Sequence, residues 1–557
     1  MTAQHENLEH STTPAALGDD RTERVYDLAI VGFGPAGAVA ANLAGQAGLD
    51  TIVIERDVDV FPRQRAISID AEALRILRNI GLYDTVASRM HRGVTVQFTG
   101  VDSRPFLTVT PLATELCGET QGNFFHQPWL EESLRDGVKR FPSVDVRCGW
   151  KYQTLNQDDE AVTLRVAEVD GTRVDTFRAR YLLACDGGSS AVRKDLGIAF
   201  AGSSYAEKWV DVQAKLKRPL HASPHFEFIS NPTRPGVKCP CPAGMYRWEW
   251  RVTDADDIGD TFEKDRAWTM LAECGVTPDD VEITRSWSYT FHIRKCTQWR
   301  VSRVLMVGDA AHVMPPFAGQ GISGAFRDAA NVVWKIAAVL RGGADDALLD
   351  SYQAEREPHH DAMTASAVRI GKLVMLRNRH LARGRDLFFR AVTRLPGVEA
   401  GISRKILEPA NLTAGFLDPT KIGFRTSPVG QLIKAVTVAA PDGQLLHIDE
   451  ALGPGWAILG LDSDPFAEMS PAAVRAWSSL WPRYVSVRPG TSVVEEGEIG
   501  DPVGQLWDWM TKHKVRFVIV RPDRYVYAAA ADAGDLPEPA TSRSTAAVRR
   551  AAADDVR

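Results

Sequence analysis

Three glycines, Gly32, Gly34 and Gly37, follow the apolar run DLAIV (27–31) and open a small-residue stretch from Ala36 to Gly48, after which a second apolar run, TIVIE (51–55), begins. Strand, tight turn, helix and strand in that order make a βαβ unit, which closes into a parallel sheet through a right-handed crossover. In such a unit the first glycine permits the turn, the second lets backbone approach a pyrophosphate, and the third lets helix and strand pack closely. The helix N-terminus attracts the phosphate charge. Glu55 stands 18 residues past Gly37, at the end of the second strand. A carboxylate there accepts hydrogen bonds from an adenosine ribose, which favours FAD or NAD with an unphosphorylated 2′-hydroxyl. Arg56 adjoins it and is grouped with the cofactor-binding candidates. The fold class expected here is α/β.

The same segment carries no charge for 22 residues, Leu28 to Leu49, long enough to span a bilayer. Its five glycines, Pro35, Asn42 and Gln46 argue against a membrane helix, so no membrane span is expected. The polar N-terminal stretch lacks an apolar or Arg-rich targeting pattern, and the seven cysteines are too scattered for a disulfide framework. Both point to a reducing, cytoplasmic location. A net charge of −6 excludes a dominant nucleic-acid footprint.

The length of 557 residues leaves room for three or four domains at roughly 150 residues each. Residues 1–24 read as a disordered segment and 25–204 as a cofactor-binding domain with inserted strands (VTVQF, AVTLRV) and a helix from Trp129 to Arg140. Asp70 is a credible N-cap for AEALRILRNI, which Gly81 ends. Residues 205–300 are strand-like and aromatic (HFEFI, YRWEWRV, RSWSYTFHI) and read as a substrate domain. Residues 301–404 complete the first domain and turn helical, with Phe326, Ala330, Val333, Ala337 and Leu340 marking one helix face. A linker at 405–426 leads to a separate α/β block at 427–530. Residues 531–557, rich in Ala, Arg, Asp and Pro, read as a disordered tail.

Two later motifs follow buried-strand patterns: DGGSSAVR (186–193) after YLLAC, and GDAAHVMPPFAGQG (308–321) after RVLMV. Together with the glycine fingerprint they resemble the three signatures of the flavoprotein aromatic hydroxylases, single-component FAD monooxygenases. PRQRAISIDAEALRILRNIGL (62–82), FFHQPWLEESL (124–134) and LLDSYQAEREPH (348–359) are similar to the same family, so the likeness covers most of the chain. It implies a Rossmann-like FAD-binding domain with an interleaved sheet-based substrate domain (α/β and α+β). For the C-terminal block it implies the thioredoxin-like domain of the phenol hydroxylase branch.

By the same resemblance Asp309 holds the ribityl chain, Asp186 lies where FAD and the nicotinamide cofactor pass, Arg65 approaches the pyrophosphate, and Gln127 lies near the ribityl chain. A helix starting near Gly321 and Ile322 would turn free N–H groups and a positive dipole end toward a reduced flavin. The chain departs from the family at Ser323, where many relatives carry Asn; Ser323 still offers one hydrogen bond.

The implied reaction draws hydride from NADH or NADPH, forms a flavin C4a-hydroperoxide with O2, and hydroxylates a phenolic ring ortho to an existing hydroxyl. The implied partner is a small phenol of the 3-hydroxyphenylpropionate type. A polycyclic aromatic or polyketide is the alternative substrate, and a non-catalytic flavin-binding interaction protein the alternative class. A homodimer stays open. His312 is an acid-base candidate equally readable as part of the frame, and Tyr246 and Arg247 face the substrate by family analogy alone. The aromatic set Trp248, Trp250, Trp287 and Tyr289 reads first as sheet core. Cys239 and Cys241 fall short of a zinc set and read as a loop with two free thiols. Residues 297–557 contain no cysteine, so the C-terminal block should show no thiol–disulfide exchange. An insulin-reduction assay on the full chain checks this, with no turnover above background expected.

Overall fold

The computed structural model describes residues 24–539, except 63, 112–115, 221–223, 254–263, 408–409, 425 and 491–494. The expected disordered segment at 1–24 therefore lies outside the described residues apart from Arg24, which pairs with Asp50.

The βαβ unit forms as its sequence requires. Strand Val25–Val31 pairs in parallel with Thr51–Glu55 on one side and Val174–Ala184 on the other. Val144–Cys148 and Val304–Met306 extend the sheet outward, also in parallel. Both YLLAC and RVLMV thus end at the edge where the first glycine turn sits. Helix Pro35–Gln46 opens on a proline, whose missing N–H costs nothing in the first turn. Its small residues are steric requirements, since a Cβ at Gly45 would lie 2.4 Å from the Phe141 ring. Asp70 caps helix Ala71–Asn79 by accepting the Ala73 N–H at 2.9 Å.

A second sheet of eight strands carries the aromatic segments, with Val281–Cys296 and Phe200–Leu216 as its long central pair. It is not confined to 205–300. Val96–Thr99 and Pro105–Val109 close one edge, and His312–Val313 pairs with Val281–Cys296 at the other. Strand Phe200–Leu216 itself crosses the expected boundary at 204. Sheet pairing joins segments far apart in sequence, which a contiguous division cannot represent.

The C-terminal block holds a seven-stranded sheet. Within it Arg483–Pro489 and Ala457–Leu461 are parallel, and Phe517–Val520 and Val526–Ala530 continue antiparallel. Helices Pro471–Ser478 and Gln505–Lys512 lie in the connections, giving the thioredoxin-like arrangement. The tail boundary moves: through 539 the chain is packed, with Leu536 buried and Trp477 Nε1 donating to the Pro537 carbonyl at 3.0 Å. The linker is docked as well, Phe416 donating its N–H to Glu355 at 2.7 Å.

Helix Gly321–Leu340 joins the domains, and 16 of its 20 residues are buried. Its polar side meets charge from both neighbours. Arg327 pairs with Asp70 and with Glu72 (2.6 Å), and Glu72 also accepts from Tyr525 at 2.8 Å. Lys335 and Arg521 converge on Glu355 at 2.9 and 2.7 Å. Arg75 grips Asp449 through two bonds of 2.7 Å. Removing one partner of such a buried pair strands the other charge, at about 3–5 kcal/mol. Asp449→Ala should lose about that much in urea unfolding with the m-value unchanged.

Acid should weaken the same junction. Burial pushes the Glu355 carboxyl up, but Arg521 and Lys335 outweigh it and hold it at about 2. A depressed folded value means its stabilisation is complete above about pH 4.5, the ordinary glutamate value, and is lost as pH falls toward 2. Thermal midpoints should fall across that window, and less steeply in Glu355→Gln.

Candidate functional site

A cavity of about 660 Å³ runs from the glycine turn to the second sheet. At the turn, Gly32 adopts φ +100°, and a Cβ there would lie 2.4 Å from the Cys185 carbonyl. A Cβ at Gly37 would fall 1.9 Å from the Gly32 carbonyl, so helix and turn touch through backbone. Gly34 differs, because its Cβ direction meets no atom within 4 Å and Gly34 lines the cavity. The open face at the helix start therefore has the shape a pyrophosphate needs. Glu55 lines the cavity too, and its two oxygens accept the Phe33 N–H (2.6 Å) and the Asp57 N–H (2.8 Å). Each oxygen keeps a second lone pair for a ribose hydroxyl. Arg56 is largely exposed at the rim, beside Asp57.

The other motifs meet on the cavity's inner wall. Asp186 Oδ2 caps helix Ala191–Asp195 through the Ala191 and Val192 N–H groups. Its Oδ1 is buried without a hydrogen-bond partner among the described residues, and the residue lines the cavity. Arg193 donates to Gly188 and Ala310, tying the DG motif to the GD motif. Asp309 is exposed onto the cavity; the protein packed around it raises its carboxyl by desolvation, against the opposing charge of His312 and Arg65. Helix Gly321–Leu340 starts at Gly321, and its N-terminus has no side-chain cap. Gly321 and Ile322 both line the cavity, so the positive end of the helix faces it.

Three expected residues have other duties. Gln127 accepts the Arg65 and Ala66 N–H groups at 2.8 Å and donates to Glu131 at 2.7 Å, so its amide fixes the loop that carries Arg65. His312 is buried, with Nε2 on Asp328 at 2.6 Å; Asp328 also accepts from Arg356 and from the Gly308 N–H. Burial pushes the Asp328 carboxyl up, but His312 and Arg356 outweigh it and hold it below the usual carboxylate range. His312 touches the cavity but is part of the frame that holds the GD turn. Ser323 accepts the Asp70 N–H at 3.2 Å and is fully buried, so it ties the helix to its neighbour and does not face the cavity.

At the far end the wall is apolar: Phe98, Trp209, Phe228, Val237, Phe291 and Phe317 line it. Strand alternation decides among the substrate candidates. Arg247 and Glu249 point into the cavity, whereas Tyr246, Trp248 and Trp250 take the opposite face and pack on helix Lys264–Ala272. Tyr246 is thereby removed from the substrate site. Trp287 and Tyr289 share the other face and bond Asp211 and Glu249 respectively, so the aromatic set serves two surfaces. Cys239 and Cys241 lie in strand Gly236–Cys241, not a loop, with sulfurs 4.0 Å apart in a buried cluster. Among the described residues no group of His, Cys, Asp and Glu is placed to hold a metal, and no helix is long and apolar enough to cross a membrane.

Comparison with known proteins gives these features a common origin. Residues 25–367 match the family model for an FAD binding domain, and 430–546 match the HcaD C-terminal domain. The 3-(3-hydroxy-phenyl)propionate/3-hydroxycinnamic acid hydroxylase of Escherichia coli K12 is 32% identical over 510 residues, 90% of this chain and 91% of that protein. The chain belongs to the FAD-dependent aromatic hydroxylases. In fold, the hydroxylase is similar to the flavin-dependent monooxygenase PieE, solved with FAD and substrate (TM-score 0.78, 20% identity, covering 95% of this chain and 99% of that one). It is also similar to the anhydrotetracycline hydroxylase OxyS of Streptomyces rimosus (TM-score 0.71, 24% identity, covering 94% and 99%). FAD is the cofactor, and the open face at Gly34, the unpartnered Asp186 Oδ1 and the uncapped helix end fit it.

Sequence reasoning missed Arg135, which donates to the Phe33 carbonyl at 3.2 Å, lies over the Phe33 ring and lines the cavity of the hydroxylase. It sits one turn before the end of helix Gln127–Val138, so its reach across to the glycine turn had no local signal. The glycines separate cofactor binding from folding. Gly34→Val should leave the melting temperature of the apoprotein within about 2 °C, because its side chain enters open space, yet weaken FAD binding at least tenfold in fluorescence titration. Gly37→Val should destabilise the apoprotein itself, because its Cβ has nowhere to go.

Proposed function

We propose that this hydroxylase oxidises NADH or NADPH, consumes O2 and adds one oxygen atom to a phenolic ring, ortho to an existing hydroxyl. The observation that carries the reading is the single cavity that joins the Gly34 face and the Asp309 turn to an aromatic wall with one polar pair. FAD, once bound, supplies the hydride acceptance and oxygen activation that no side chain here could provide. The protein's part is placement, exclusion of water and electrostatics. The uncapped end of helix Gly321–Leu340 favours negative charge in front of it. Phe98, Phe228, Phe291 and Phe317 exclude water from the acceptor end, which protects reactive species from side reactions. Arg247 and Glu249 offer a donor and an acceptor to a ring hydroxyl there.

Reduction without a substrate would waste nicotinamide, so the phenol should gate it by binding the reducible state more tightly than the resting one. NAD(P)H oxidation should rise at least tenfold on adding a good phenol, a difference of roughly 1.4 kcal/mol in barrier. Anaerobic stopped-flow bleaching with and without the phenol measures it, and equal rates would refute gating. Mass spectrometry and NMR of the product test the added oxygen and its position.

A further inference from the structure

We infer that the acceptor end selects an uncharged phenol and discriminates against a ring that carries a carboxylate, with Glu249 as the residue that sets this preference. The inference rests on the hydroxylase reading above. It concerns the charge of the substrate, on which the E. coli relative's acidic substrate would suggest the opposite.

Charge around the inner part of the cavity is set by arginines and the carboxylates that hold them. Two guanidinium groups line it there: Arg247 and Arg327. Arg247 is held between Asp211 (3.2 Å) and Glu249 (2.6 Å). Arg327 is held between Asp70 and Glu72. Each of these two guanidinium groups is thus matched by two carboxylates of the protein itself. Of the other cations on the cavity wall, which include Lys151, Arg65 lies over the Phe61 ring, Arg135 bonds Phe33 and Arg56 sits beside Asp57. A ligand carboxylate at the aromatic wall would lose its water, find Arg247 already doubly matched, and meet the field of Glu249. Burying a charge without a partner is far costlier than burying a neutral polar group.

The same geometry suits a neutral hydroxyl. Glu249 faces the cavity and is itself fixed, Oε1 on Arg247 and Oε2 accepting from Tyr289. Trp287 Nε1 and Gln213 Nε2 each donate to Asp211 Oδ2 at 2.7 Å, which holds Arg247 from behind. The polar pair is therefore a rigid donor and acceptor set in a wall of aromatic rings. Any ring extension beyond it meets Phe98, Phe228 and Val237, none of which can solvate an anion.

The test uses the FAD-loaded enzyme and matched acid and methyl-ester pairs of phenols with one, two and three rings, beginning with 3-(3-hydroxyphenyl)propionate. Binding is followed at pH 7.5 by perturbation of the flavin absorbance, and turnover by product mass. Esters should bind at least tenfold more tightly than their acids. In Glu249→Gln, which leaves Arg247 matched by Asp211 alone, the acid should gain at least fivefold and the ester much less. If that variant loses FAD, the wild-type pairs decide alone. Acids binding as tightly as their esters would overturn the inference. Should such acids also gain oxygen, the hydroxylase reading survives. If no phenol in the set gains oxygen or accelerates NAD(P)H oxidation, the reading itself fails and the inference with it.

Discussion

A helix buried on nearly every side must have its charged face answered from elsewhere in the chain, and this requirement governs the whole structure. Helix Gly321–Leu340 places Arg327, Asp328, Asn331 and Lys335 where almost no solvent reaches them. Asp328 is answered by His312 and Arg356, Arg327 by Asp70 and Glu72, and Lys335 by Glu355. Those partners come from the GD turn, the first domain's helices and the helix Ser351–Val374, while Tyr525, Arg521 and Asp523 arrive from the C-terminal block. The helix thereby binds three parts of the chain together, and its N-terminal end is delivered to the cavity as a consequence. A C-terminal domain without a single thiol still has work in this arrangement, because its Arg521, Asp523 and Tyr525 complete the bonds around Glu355, Asn331 and Glu72.

That junction is also where the sequence was least legible. The spacing of Phe326, Ala330, Val333, Ala337 and Leu340 marks one apolar face and says nothing of what covers the charges between them. In the structure they are buried, since a charged face looks the same in sequence whether water or another domain's carboxylate covers it. The glycine turn was legible down to single residues, because a positive φ at Gly32 and a backbone contact at Gly37 leave no alternative side chain. Strands such as Ala457–Leu461 and Phe517–Val520 could be located from their apolar runs, whereas Arg483–Pro489 and Glu498–Asp501 could not, their patterns being broken by charge and proline.

Register was the other limit. The segment 246–251 reads as a strand from composition, but composition does not say which alternate set faces the ligand, and a shift of one residue exchanges every side chain between faces. Tyr246 and Arg247 were therefore equal candidates until the pairing of Met245–Arg251 with Phe200–Leu216 set their directions. The same pairing divides the aromatic set, with Trp248 and Trp250 in the core behind the sheet and Trp287 and Tyr289 buttressing the polar pair in front.

The two ends of the cavity consequently record different kinds of constraint. Cofactor recognition rests on backbone shape: glycines that allow close approach, helix ends left uncapped, and a carboxylate at the end of a strand. Such features survive extensive change elsewhere, so family membership is evident at 32% identity. The acceptor end is made largely of side chains on six strands of one sheet, where each position can change without disturbing the backbone. A relative's substrate is thus a property of the part of the molecule least bound by the fold. The charge balance around Arg247 is better evidence about this chain's substrate than shared ancestry, because it is set by residues that any substrate must displace water from in order to bind.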